Sequence, residues 1–182
     1  HGCSYHESNN ESIPGIDSGK STSAEIISSY KKLTQGLATQ NFALINEWIH
    51  PEYGLFIIES HGAMPSMTQV FNVAGWKNNE GGNFFEFEDM KSAFPVQEEE
   101  LPVVDCNSPP WFYSKEGCFI QKVNTIKNSE VWDYSNVSDS EKEKAREAAS
   151  AVEWTLINTH SFKCYFTILK GKVYLLFIDF RR

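Results

Sequence analysis

The last twenty residues restrict the fold more than any other part of the chain. Phe162–Leu169 and Lys172–Phe180 are two apolar runs joined by Lys170-Gly171, a pair suited to a two-residue hairpin turn. Such a turn fixes the register. It places Ile168 opposite Val173, Phe166 opposite Leu175 and Cys164 opposite Phe177 on one face. Thr167 with Tyr174, Tyr165 with Leu176 and Lys163 with Ile178 fall on the other. The first face is wholly apolar and the second nearly so, which predicts a central hairpin covered on both sides. Trp154–Thr159 is expected as a neighbouring strand.

The chain has 182 residues, enough for one domain, and a chain of this size buries about 70% of its unfolded surface. Thirteen Phe, seven Tyr and five Trp exclude a wholly disordered chain. The net charge of −8 argues against a nucleic-acid partner, which calls for a basic face. No apolar run reaches the ~18 residues of a membrane span. Residues 1–20 are rich in Ser, Asn, Gly and Pro and read as a flexible polar tether. Residues 21–182 then form a single domain.

Helical patterning opens that domain. Thr22 and Glu25 fit a capping box, followed by Ile26, Tyr30, Leu33 and Leu37 at helical spacing. Asn41 is expected to cap a second helix through Phe42, Ile45, Trp48 and Ile49, ending before Pro51. Leu55–Ile58 reads as a buried strand, and residues 62–83 read as mostly loop. Leu101–Asp105 is a candidate strand. Trp111–Tyr113 and Cys118–Ile120 are expected to form a hairpin, with Gly117 supplying positive φ. Ser138 and Glu141 mark a second capping box. Ala145, Ala148, Ala149 and Val152 follow as a small-residue packing face. The order is α+β: an N-terminal helical pair packed on a curved antiparallel sheet that ends in a central C-terminal hairpin.

This element order, over residues 22–60 and 154–180, resembles the cone-shaped fold of ketosteroid isomerases and many secreted binding domains. The resemblance implies a sheet wrapped around helices to leave an apolar pocket. Gly2-Cys3-Ser4 at the front of the polar stretch resembles the processing site of bacterial lipoproteins. That resemblance implies a lipid on Cys3, an extracytoplasmic location and no other membrane attachment. In such a compartment Cys106 and Cys118 are the natural disulfide pair, and Cys164 suits a buried thiol.

Four residues are candidates for chemistry. His50 lies where a helix gives way to a strand, either as a general acid or base or as a cap on the last helix carbonyls. Glu59 and His61 point to one side if the strand from Leu55 continues, a geometry that can hold a tautomer or a metal. Asp179 sits in an apolar run, facing Phe162 in the register above. It is either a proton-abstracting base in an apolar pocket or an edge carboxylate satisfied by Arg181, Arg182 or water. Trp111, Phe112 and Tyr113 are either an exposed recognition patch or core. No zinc spacing, phosphate-binding loop or serine-hydrolase elbow occurs, so no metal and no cofactor is implied.

Three functions follow as expectations. The first is a cell-envelope lipoprotein domain with a non-catalytic binding or scaffold role, holding a small apolar ligand or an envelope protein. The second is a small-molecule isomerase or dehydratase with an enclosed apolar pocket. The third is an inhibitor or immunity-type protein that binds a basic partner through the acidic stretch at residues 86–100.

Overall fold

The computed structural model describes residues 19–85 and 94–181. The protein is α+β: among these residues seven strands form one mixed sheet, with helices packed on it. Helix α1 (Gly19–Ala38) and the short α2 (Phe42–Asn46) come first. They are followed by β1 (Leu55–His61), β2 (Met64–Val70), β3 (Val96–Glu98) and β4 (Cys118–Gln121). Helix α3 (Asp139–Ala151) precedes β5 (Trp154–Asn158), β6 (Lys163–Leu169) and β7 (Lys172–Asp179). The strand order across the sheet is β2-β1-β7-β6-β5-β4-β3. The β6–β7 hairpin therefore lies at its centre, as its two apolar faces require. Among the described residues no helix is long and apolar enough to cross a membrane.

The pleat sorts the strand side chains into two cores. Leu55, Ile57, Trp154, Leu156, Cys164, Phe166, Leu175 and Ile178 join the stripe Ile26, Tyr30, Leu33 and Leu37 of α1. Phe56, Ile58, Tyr165, Leu176 and Phe177 join Ala145, Ala148 and Ala149 of α3, together with Ile126, Val131 and Trp132. The three alanines of α3 are fully buried in this second core. Its N-terminus is closed by Ser138 and Glu141 in the expected capping box.

Several local expectations give way. The sheet is not wholly antiparallel, because β1 runs parallel to β7 and β3 parallel to β4. Helix α1 begins at Gly19, so Thr22 is inside it and Gly19 and Lys20 belong to it rather than to the polar tether. Helix α2 stops at Asn46, short of Trp48 and Ile49, where tighter turns take over. Residues 64–70, read as loop, are an edge strand. It pairs along its whole length with β1 and buries Met67 in the α3-side core.

The C-terminal register holds for only half its length. Lys170 and Gly171, at φ 50 and φ 74, make the tight turn, and pairing runs as expected as far as Phe166 with Leu175. A bulge then intervenes. Tyr165 pairs with Phe177, Cys164 with Ile178 and Lys163 with Asp179. Leu176 and Phe177 consequently share one face, and Asp179 meets Lys163 rather than Phe162. A bulge of this kind accommodates one extra residue on one strand and re-aims those beyond it.

Candidate functional site

The segment after β3 builds a feature unlike the rest of the molecule. Val104 bridges Tyr113, and hydrogen bonds flank the bridge: Ser114 N to Val103 O at 2.9 Å, and Asp105 N to Phe112 O at 2.7 Å. Residues 103–114 thus form a short antiparallel ribbon. Its tip is closed by Asp105, whose carboxylate accepts from Asn107 N at 3.0 Å and from Ser108 Oγ at 2.6 Å. Those bonds hold the Asp105 carboxyl below the usual carboxylate range. Phe112 N donates to Ser108 O at 2.8 Å and fixes Phe112 at φ 61, a left-handed conformation that bulky residues rarely adopt.

The base of the ribbon is tied to the sheet. Leu101 N donates to Gln121 Oε1, and Gly117 exchanges hydrogen bonds with Thr159. Lys115 Nζ reaches Glu99 at 2.7 Å and lies over the Phe119 ring at 4.1 Å. The Trp111 ring stacks on His160 at 3.7 Å between centroids, with Phe94 edge-on to the same imidazole at 4.7 Å. His160 Nε2 lies 2.6 Å from Glu116 Oε1. A loop so thoroughly bonded is presented as a rigid body, which suits a contact surface because little ordering entropy is lost on binding.

Several of its outward residues are apolar. Among the described residues the large exposed hydrophobics are Met64, Phe71, Val103, Val104, Phe112, Tyr134 and Leu169. Three of them belong to this one ribbon, with Val103 65%, Val104 63% and Phe112 45% exposed. Scattered single apolar residues need no explanation, whereas a local concentration marks a contact site. Of the three aromatics at 111–113, Phe112 faces outward, while Trp111 is taken up by the His160 stack.

The residues proposed for chemistry do not converge. His50 is buried, and its Nδ1 accepts from the N–H groups of Glu52 and Tyr53, both at 3.1 Å. This fixes the tautomer and makes His50 an internal staple of the turn, rather than a cap on helix carbonyls. Its ring also packs against Tyr53 and Tyr174. Asp179 is buried and held by a fork from Arg181, with Nε at 2.9 Å and Nη2 at 2.7 Å. Tyr174 and Asp179 are five residues apart on β7, roughly 16 Å of strand, so His50 and Asp179 sit at opposite ends. Glu59 is buried on the α1 side of the sheet, while Asp179, paired with Ile58, is on the α3 side. Strand β1 does continue through His61, whose backbone pairs with Met64.

Asp179 is instead part of an ionic group that the bulge creates. Burial works against the charges of both Lys163 and Arg181. At Lys163 the neighbouring Tyr165 and Tyr113 phenols, and after them the Asp179 carboxylate, outweigh it; at Arg181 the hydrogen-bonded Asp179 carboxylate does, and both pKa values rise. Burial pushes the Tyr165 phenol beside them up to about 12. A one-residue register change carries no local sequence signal, so this group is invisible before folding.

Cys118 is a buried free thiol pushed up to about 12 by burial, and Cys164 is likewise free and raised by burial. The expected Cys106–Cys118 bridge is therefore not formed. Cys118 points into the α1-side core with Tyr30, and Cys106 is disulfide-bonded elsewhere. Cys3 and the acidic residues Glu86, Glu88 and Asp89 lie outside the described residues.

The described residues include two open surface depressions. One of about 640 Å³ lies between α1 and the β6–β7 turn, lined by Glu25, Lys32, Glu47, Trp48 and Lys172 among others. The other, about 470 Å³, is lined by Met64, Glu130, Tyr134 and Arg181 among others. Neither is lined by His50, Glu59 or Asp179. No group of three or more side chains suited to hold a metal occurs among the described residues. Comparison of the chain with protein-family models, with curated protein sequences and with solved structures finds no match.

Proposed function

We propose that this chain is the folded domain of a bacterial cell-envelope protein that acts by holding a partner rather than by catalysis. The observation that carries this reading is the rigid ribbon 103–114, which keeps Val103, Val104 and Phe112 in water while polar bonds fix its backbone. Apolar side chains concentrated at the surface in this way suit contact with a partner. The disulfide at Cys106 supports an oxidising, extracytoplasmic location.

Fractionation of the source cells, with the oxidation state of Cys106 read by mass spectrometry, tests the location. Expected is an extracytoplasmic chain with Cys106 oxidised. A cytosolic chain with Cys106 reduced overturns the reading. The same digest weighs the N-terminal peptide. A lipid on Cys3 establishes an anchor, whereas a Cys3–Cys106 bridge rules the lipid out, because one sulfur cannot carry both. Contact through the ribbon is tested separately below.

A further inference from the structure

We propose that the ribbon and its flanks, residues 98–117, dock a protein whose contact surface carries apolar side chains ringed by lysine and arginine. This deepens the binding reading above and rests on it.

The argument combines apolar exposure with charge. The twenty residues from Glu98 to Gly117 carry Glu98, Glu99, Glu100, Asp105 and Glu116 against Lys115 alone, a net charge of −4, half of the chain's −8. Glu98, Glu99, Glu100 and Glu116 are exposed. Lys115 is engaged with Glu99. The register of the ribbon places Val103 and Phe112 on one face, diagonal neighbours about the Asp105–Phe112 bond, and Val104 on the other. Exposed apolar side chains with exposed carboxylates close by in the chain supply the two components of an interface, a centre to desolvate and a polar border.

Charge then selects the occupant. A second copy would bring the same carboxylates against this rim, an anionic membrane would repel it, and so would nucleic acid. A protein with a cationic rim is attracted at long range and buries Val103 and Phe112, which share one face, on contact.

The test uses the purified chain and three synthetic amphipathic helices as probes: Leu/Lys, Leu/Glu and Ser/Lys. Binding is followed by fluorescence anisotropy at low and high salt. Expected is binding of Leu/Lys that weakens at high salt. The Leu/Glu and Ser/Lys probes should bind at least about tenfold more weakly. V103S/V104S/F112S and E98Q/E99Q/E100Q should each weaken Leu/Lys binding by about tenfold or more, equivalent to about 1.4 kcal/mol. E130Q/E143Q/E147Q, an equal charge change elsewhere, should leave it unchanged. Equal binding of Leu/Glu, wild-type affinity in both ribbon variants, or an equal loss in the control variant overturns the proposal. So does a dimer of the native chain that V103S/V104S/F112S dissolves, or binding to phosphatidylserine vesicles that it abolishes. Should a ribbon variant fail to fold, hydrogen exchange of the native chain decides: protection by Leu/Lys within 98–117 supports the site, and protection only elsewhere overturns it. An extracytoplasmic chain whose ribbon binds nothing sinks this inference alone, whereas a cytosolic chain sinks the envelope reading whatever the ribbon binds.

Discussion

Phe177 and Val104 are both apolar and both lie in paired backbone, yet Phe177 is wholly sealed and Val104 is 63% exposed. The difference lies in what covers each. Phe177 stands on a central strand with β1 and β6 beside it and Phe56 stacked at 5.0 Å, under the layer that includes α3. Val104 stands on a two-stranded ribbon whose order comes from polar bonds at Asp105, Ser108 and Ser114, so nothing requires its side chain to be covered. In the sheet, burial stabilises the fold. In the ribbon, hydrogen bonding has taken over that task and leaves apolar side chains available to a partner. On the binding role proposed above, stability and recognition are separated in space, and substitutions should affect one without the other.

The largest effect expected is at the centre. Phe177→Ala should lower unfolding stability by about 3–5 kcal/mol, read by urea denaturation, because the cavity it leaves is walled by sheet and helix. A loss under about 1 kcal/mol would erase the contrast.

Next comes pH. The folded Tyr165 phenol ionises near pH 12 and an unfolded one near about 10, so its share of stability is complete below about pH 10 and is lost as pH rises toward 12. Stability followed across that window should fall, more gently in Tyr165→Phe. Some slope should persist in that variant, because Tyr30 and Cys118 are also raised by burial. An unchanged slope in the variant would show that Tyr165 is not sealed.

At the edge of the α3-side core, Ser138→Ala should cost about 1 kcal/mol by removing one half of the capping box. Ser138→Asp should retain most of that stability, since aspartate caps equally well. The smallest effect belongs to the ribbon: V103S, V104S and F112S singly should each move stability by no more than about 0.5 kcal/mol. A loss near that of Phe177→Ala would mean that these residues hold the fold together, and the separation of roles would collapse.

Much of the scaffold was legible in the sequence because its signals are local. The spacing of Ile26, Tyr30, Leu33 and Leu37, the Ser138/Glu141 box, the Asn41 cap and the Lys170-Gly171 turn each act within a few residues, and each is found where the pattern predicts. The edge strand at 64–70 was illegible because its own residues do not alternate cleanly, and pairing with β1 alone makes it a strand. The candidate site was half legible. Trp111–Tyr113 stood out by composition, and one of its two readings, an exposed patch, fits Phe112. Which of the three aromatics faces water depends on His160, more than forty residues away.

The sequence by itself determined that the chain folds around a doubly covered C-terminal hairpin, because apolar residues on both faces of a strand leave no other low-energy arrangement. Tertiary structure alone decided the parallel docking of β1, the bulge that turns Asp179 toward Lys163, the freedom of Cys118 and the exposure of Val103 and Val104. Each of these depends on contacts between segments far apart in the chain. Such contacts are set by what packs against what, and no short run of residues encodes that.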